Sequence, residues 1–244
     1  MSLLRKKNST LPLVRPLRAQ LFHLTSPIFF ETLLLMLTGA TDVFMLSRFA
    51  DDAVAASGVV NQLVFLVCLI YMITTLGTSV LCAQYLGAKQ KKNVSQVIGA
   101  SLLVNAAMGI LVSAGLYYFA PQLLHLMGLQ DHLFAYALPY MALVGGSSVF
   151  LSLAMTLGAI LRSHNKAYYP MWSALFINII NVVGNYFLIF GHAGFPRMGI
   201  TGAGISTMLC RFVAVVILGY VLFTKVSPVP PLRYFKPFPW DKIK

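Results

Sequence analysis

Two carboxylates inside one apolar segment are the residues of this chain most suited to chemistry. Glu31 and Asp42 lie in a stretch of roughly 20 residues, Ser26 to Met45, which is long enough to cross a bilayer core as a helix. The sequence has six acidic residues, and the other four fall in hydrophilic breaks or near the C-terminus: Asp51, Asp52, Asp131 and Asp241. A carboxylate in hydrocarbon is unfavourable unless it faces a partner or a water-filled cavity. Their spacing of three helical turns predicts that both lie on one helix face, about 16 Å apart.

A later apolar segment carries three asparagines, Asn178, Asn181 and Asn185. Their offsets place them within about 60° of arc on one helical face. Amide hydrogen bonds between helices are common in membrane bundles and stabilise them by up to about 2 kcal/mol each. A single asparagine is therefore compatible with simple helix packing, whereas three on one stripe favour the wall of a polar cavity.

Two arginines lie at or within apolar segments. Arg211 is near the middle of the last segment, where a guanidinium must pair with an anion or reach water. Glu31 and Asp42 are the carboxylates available there, so the sequence predicts an ion pair between Arg211 and one of them. Arg162 is at the end of a segment and is interpreted as an anchor that extends to the membrane surface.

The composition identifies the class of protein. The chain is 58% hydrophobic and 10% charged, with a mean hydropathy of +0.79, whereas soluble domains have about 25% charged residues. Long unbroken apolar runs predict membrane-spanning helices rather than the alternating strands of a barrel. Cys68, Cys82 and Cys210 lie inside these runs without metal-ligand spacing, which is typical of small buried apolar side chains.

Six spans are predicted from the apolar runs, and their bounds are His23–Phe49, Ala53–Leu86, Val94–Ala120, His132–Leu161, Tyr168–Phe190 and Thr201–Thr224. Pro27 is expected in the first turn of the first span, where proline is tolerated. Asp51 and Asp52 are expected to cap the second. Pro139 and the pair Gly145-Gly146 are the predicted kink points of the fourth.

The basic residues indicate topology. Residues 1–22 form a basic segment without an apolar core, interpreted as a cytosolic anchor rather than a cleaved signal peptide. Residues 23–225 form the membrane lobe, and residues 226–244 form a basic, proline-rich tail. Fifteen lysines and arginines fall on one side of the predicted spans, and only Arg48 and Arg197 fall on the other. This excess predicts that both termini are cytoplasmic, so the net charge of +12 does not indicate a nucleic-acid partner.

Motifs of enzymes are missing from the sequence. The five histidines lie mostly in breaks, and no HExxH helix, nucleophile elbow or ATP-binding P-loop occurs. The chain is therefore predicted not to be an enzyme, and any transport must use a gradient or a partner.

Several short stretches resemble one transporter family. Residues 41–48 (TDVFMLSR) and 52–58 (DAVAASG) are similar to the first-helix signature of MATE (multidrug and toxic compound extrusion) transporters. Further similar stretches are collinear over about residues 20 to 225, and they are AQYLGAK (83–89), LRSHNK (161–166), NYFLIFG (185–191) and GITGAG (199–204), followed by Arg211.

The resemblance implies a multi-pass antiporter of the plasma (cell inner) membrane. It would be driven by H⁺ or Na⁺, with no other cofactor, and would export cationic or amphipathic drugs or metabolites. Asp42 matches the family's first-helix acid, implicated in cation coupling, and Asn181 and Asn185 match polar positions of the same cavity. Some members have an acid at the position of Asn185, and Glu31 is typical of only some branches. The mechanistic hypothesis is that drug and cation compete for the charge of Asp42.

The family has twelve helices in two six-helix lobes, and this chain resembles the amino-terminal lobe only. It is interpreted as one half of a transporter, either a fragment or a half that pairs with a second half or with itself, as repeated-half architecture allows. Two alternatives remain open. One is a non-transporting membrane assembly or interaction subunit. The other is an exporter of lipid precursors, which would need a more cationic cavity than Arg211 alone supplies.

Overall fold

The computed structural model describes residues 17–192 and 194–226. Within them the chain is helical, and no strand is formed. The helices are α1 (Leu17–Ser47), α2 (Asp51–Gly87), α3 (Lys91–Tyr118), α4 (Ala120–Leu126), α5 (Phe134–Gly146), α6 (Ser148–Ser163), α7 (Tyr168–Phe190) and α8 (Ile200–Lys225), with a 3₁₀ turn at Asp131–Leu133. The predicted all-α membrane fold is confirmed. Residues 1–16 and 227–244, which hold most of the predicted basic segment and tail, lie outside the described residues.

The spans follow the predicted order. Five helices are long and apolar enough to cross a membrane, namely α1 from Thr25, α2, α3, α7 and α8. The sixth span is broken into Asp131–Gly146 and Ser148–Ser163, which are bent by 41° relative to each other. The predicted kink at Gly145-Gly146 is therefore confirmed, whereas Pro139 lies inside α5 away from the break.

Two local predictions were wrong, and one short helix was not predicted. Pro27 lies inside α1 rather than in its first turn, because the helix begins at Leu17. Asp51 and Asp52 are the first residues of α2 and make no side-chain cap, although their charges favour the positive end of the helix dipole. The short helix α4 was not predicted from the sequence. Pro121 lies in its first turn, a position that suits proline.

Two clusters of buried apolar side chains form the core. The first includes Leu46, Val60, Tyr71, Tyr140 and Val144. The second includes Ile98, Ile160, Leu161, Leu218 and Leu222. Cys82 and Cys210 are buried, as predicted, and Cys68 is half-buried.

α1 is buried mainly at its C-terminal end. Between Thr25 and Ser47 its buried side chains are Met45 and Leu46, which are 8% and 1% exposed. The rest of this stretch packs along α7 or faces outward. α1 is therefore held at one end by apolar packing and elsewhere by the polar contacts described below.

Small residues let α7 and α8 approach closely. A Cβ at Gly202 would lie 2.5 Å from the carbonyl oxygen of Leu188, and one at Gly184 would lie 2.6 Å from the Ser206 Oγ. Gly184 and Gly202 are therefore packing residues, which let the two helices approach closely.

The turn between α6 and α7 contains a half-buried histidine. His164 donates from Nδ1 to the carbonyl oxygen of Ile160 at 2.8 Å, and its Nε2 is buried without a partner. Burial, with a smaller contribution from Lys166, lowers the pKa of His164 below its ordinary value. Lys166 also donates to the carbonyl oxygen of Lys225 and so ties this turn to the end of α8.

The lowered pKa of His164 predicts loss of stability in acid. Below an unfolded-state pKa of about 6.5, the unfolded chain binds a proton that the folded chain does not, so unfolding becomes easier as pH falls. We expect the thermal midpoint in detergent to drop between pH 7.5 and 5.0, and to drop less in His164→Gln. Equal drops in the two proteins would contradict this role.

Candidate functional site

A cavity of about 330 Å³ lies between α1, α6, α7 and α8. Its wall includes both carboxylates singled out in the sequence, Glu31 and Asp42, together with Arg162, Arg211 and Asn181. Because the two carboxylates are separated by three helical turns of α1, they lie about 16 Å apart along it. One helix face thus presents both acids to a single cavity.

At the Asp42 end, α7 faces α1 with amide side chains. Asn185 Nδ2 donates to Asp42 Oδ1 at 2.5 Å and to Asn181 Oδ1 at 3.2 Å. Asn181 and Asn185 are buried, and the Asn185 Oδ1 has no hydrogen-bond partner. A carboxylate beside asparagine amides can accept hydrogen bonds when it is charged, or donate one to an amide oxygen when it is protonated, and its own oxygens suit a hard cation.

The third asparagine of the stripe has a different place. Asn178 Nδ2 donates to the carbonyl oxygen of Leu34 at 2.6 Å, and Asn178 does not line the cavity. The asparagine stripe therefore faces α1, but only its C-terminal part, Asn181 and Asn185, lies beside Asp42.

At the other end, Glu31 is paired with Arg162 rather than with Arg211. Arg162 Nη1 lies 2.9 Å from Oε1 and 3.2 Å from Oε2 of Glu31, the one ion pair within residues 17–192 and 194–226. The prediction of a membrane-surface anchor at Arg162 was wrong. The Arg162 side chain reaches Glu31 from the last turn of α6, and Gly158 leaves room for it, because a Cβ there would lie 3.1 Å from Nη1.

The guanidinium of Arg211 donates its hydrogen bonds to residues at the break in the fourth span. Its Nη1 donates to the carbonyl oxygen of Val144 at 2.5 Å and to the Ser147 Oγ at 3.2 Å. The predicted ion pair of Arg211 with Glu31 or Asp42 was therefore wrong. The last carbonyls of α5 have no helical partner and carry the negative end of the helix dipole, so they suit a guanidinium.

Two hydroxyl groups of the cavity were missed in the sequence. Ser173 of α7 is 4% exposed, and its Oγ has no hydrogen-bond partner. The Oγ1 of Thr207 on α8 is also buried without a partner, and both residues line the cavity. Thr207 precedes Arg211 by one helical turn, a spacing from which it could have been found. Unpartnered buried hydroxyls suit a ligand or water that is held in the cavity.

The charges that line the cavity are balanced, with two carboxylates and two guanidinium groups. Within the described parts of the chain, no group of three His, Cys, Asp or Glu side chains could hold a metal ion. The arrangement can bind a solute or exchange a cation.

Comparisons with known proteins agree with this fold. The profile of the family described as MatE matches residues 27–187. One relative, "Uncharacterized transporter YisQ" of Bacillus subtilis (strain 168), is 38% identical over 207 residues, which cover 85% of this chain and 46% of that protein. A "Probable multidrug resistance protein NorM" of Thermotoga maritima is 29% identical and is covered to 46%, with 87% of this chain aligned. The chain thus spans about half the length of the curated relatives it matches.

Solved structures show the same fold. A "Crystal structure of MATE in the bent conformation" superposes with a TM-score of 0.83 at 20% identity, over 91% of this chain and 49% of that chain. A MOP superfamily transporter from Pyrococcus furiosus superposes with a TM-score of 0.82 at 20% identity, over 90% of this chain and 48% of that chain. Each superposition covers the described helices and about half of the larger protein.

Proposed function

Because this chain belongs to the MatE family of membrane transporters, we propose that it forms the amino-terminal half of a cation-coupled antiporter. The proposed substrates are cationic or amphipathic drugs or metabolites, which are exported across the plasma membrane. The observation that carries the proposal is the place of Asp42, half-buried in the wall of a cavity and within hydrogen-bonding distance of an asparagine on α7.

Asp42 is the proposed site of exchange between substrate and coupling cation. A carboxylate inside a membrane protein must be neutralised by a proton, a metal cation or an organic cation. Because these three compete for one charge, binding of one releases another, and the two fluxes become coupled. Asn185 and Asn181 support the exchange, since they can hydrogen-bond the charged or the protonated carboxyl.

Either H⁺ or Na⁺ would serve as the coupling ion, and no other cofactor and no enzymatic step is proposed. The excess of lysine and arginine on one side supports cytoplasmic termini. A second six-helix half, or a second copy of this chain, would supply the opposite wall of the pathway.

Export of a lipid precursor is less well supported. An anionic headgroup would need surplus positive charge, and the Arg162 guanidinium is already neutralised by Glu31.

Dye efflux tests the proposed function. The chain is expressed alone, and with the carboxyl-terminal half of the YisQ relative, in bacteria lacking their main efflux pumps. We expect the pair to lower ethidium accumulation, and dissipation of the H⁺ or the Na⁺ gradient to abolish the effect. Ethidium accumulation that stays unchanged when either gradient is dissipated would contradict a coupled antiporter.

A further inference from the structure

The Glu31–Arg162 ion pair lies at the opposite end of the cavity from Asp42, and the cation-coupling role assigned to Asp42 does not account for it. We propose that Glu31 is a separate binding station for organic cations, where an incoming cation replaces the Arg162 guanidinium. The inference rests on the proposed function only in that the cavity takes up cationic solutes.

The ion pair is accessible to a competitor. The side chains of Arg162 and Glu31 are 29% and 16% exposed, and both line the cavity. A single nitrogen, Nη1, contacts both carboxylate oxygens, whereas the strongest arginine–carboxylate pairs use two parallel hydrogen bonds. Glu31 is therefore held by a partner that another cation can replace.

Replacement keeps the charge of Glu31 neutralised. Removal of one partner from a buried ion pair is strongly unfavourable, because it leaves an uncompensated charge. When an organic cation takes the place of Arg162, a positive charge remains beside the carboxylate throughout. The exchange thus avoids leaving the half-buried carboxylate of Glu31 without a positive partner.

The released guanidinium has a favourable place nearby. Arg162 lies in the last turn of α6, where the final carbonyl groups and the helix dipole attract positive charge. Gly158 leaves space along the same helix face for the arginine side chain. Arg162 can therefore leave Glu31 without losing all of its stabilisation.

The cavity wall between the two carboxylates suits an organic cation. Apolar side chains dominate this wall, among them Leu35, Met155 and Leu218, with the unpartnered hydroxyls of Ser173 and Thr207 beside them. Small-molecule sites typically combine an apolar wall with a few placed polar groups. A cation bound at Glu31 would lie about 16 Å along α1 from Asp42, so the two carboxylates form separate stations.

Equilibrium binding of tetraphenylphosphonium to the purified chain tests the proposal, because the two single variants should change affinity in opposite directions. Arg162→Gln removes the competitor, and we expect about tenfold tighter binding. Glu31→Gln removes the station, and we expect about tenfold weaker binding. The double variant should bind as weakly as Glu31→Gln.

Two results would overturn the proposal. A merely structural ion pair would weaken binding in both single variants. An absence of binding in both the wild type and Arg162→Gln would also contradict a binding station at Glu31.

Two controls separate this proposal from its alternatives. Arg162→Lys keeps the charge but not the guanidinium, and we expect a smaller gain in affinity, which is measurable even if Arg162→Gln does not fold. The gain in Arg162→Gln should persist in an Asp42→Asn background, because the station is Glu31. If dye export does not depend on Asp42, the proposed function is wrong. If Arg162→Gln does not bind tetraphenylphosphonium more tightly than the wild type, the exchange at Glu31 is wrong.

Discussion

Asp42→Asn is expected to reduce export of a cationic dye to the level of cells that lack the chain. The substitution keeps the shape of the side chain and its place beside Asn185 but removes its negative charge. A half-buried, hydrogen-bonded charge that pairs with an opposite charge contributes about 2 kcal/mol to binding, which is more than tenfold in affinity. Ethidium efflux by cells expressing the chain with a second half measures the effect.

The matched control is Asp131→Asn, which changes an exposed acid in the 3₁₀ turn outside the cavity. We expect this variant to export dye like the wild type. Both variants should reach the membrane in equal amounts, as measured by immunoblotting of the membrane fraction. Full export by Asp42→Asn would refute the assignment of Asp42.

Gly202→Val is expected to prevent α7 and α8 from packing. A Cβ at this position would lie 2.5 Å from the carbonyl oxygen and 2.6 Å from the carbonyl carbon of Leu188, and backbone cannot move aside as a side chain can. Overpacking typically destabilises by about 1–3 kcal/mol, and this backbone clash should be at or above the upper end. For a chain of this length, we expect the thermal midpoint to fall by more than about 6 °C.

Gly219→Ala is the control for Gly202, because it lies on the same helix with nothing within 4 Å of its added Cβ. Alanine favours a helix over glycine by up to about 1 kcal/mol, so we expect an unchanged or slightly raised midpoint. Size-exclusion chromatography after heating measures both variants. A Gly202→Val protein as stable as Gly219→Ala would contradict the tight packing.

The sequence predicts the spans and the acidic face of α1 because both depend on local patterns. Apolar runs locate the spans, the Gly145-Gly146 pair locates the break, and helical periodicity places Glu31 and Asp42 on one face. These features require only the periodicity and length of a membrane helix.

The partners of the two arginines could not be predicted in this way. Arg211 bonds Val144 because the break in the fourth span exposes a carbonyl oxygen beside α8. Arg162 reaches Glu31 because both side chains extend from their helices to the wall of the same cavity. Both contacts depend on how distant helices pack. The carboxylates were identified from charge alone, whereas a backbone carbonyl group carries no signal in the sequence.

The burial of α1 at one end has a mechanical consequence. If Met45 and Leu46 act as a pivot, Glu31 lies about 21 Å along the lever arm and Asp42 only about 5 Å. At these distances, which follow from the helical rise per residue, a swing of about 10° around the pivot would displace Glu31 by about 4 Å but Asp42 by less than about 1 Å. Such a displacement would separate Glu31 from Arg162 and the Leu34 carbonyl group from Asn178, and it would leave Asp42 beside Asn185. The same rigid helix can therefore open one end of the cavity while it holds the other closed.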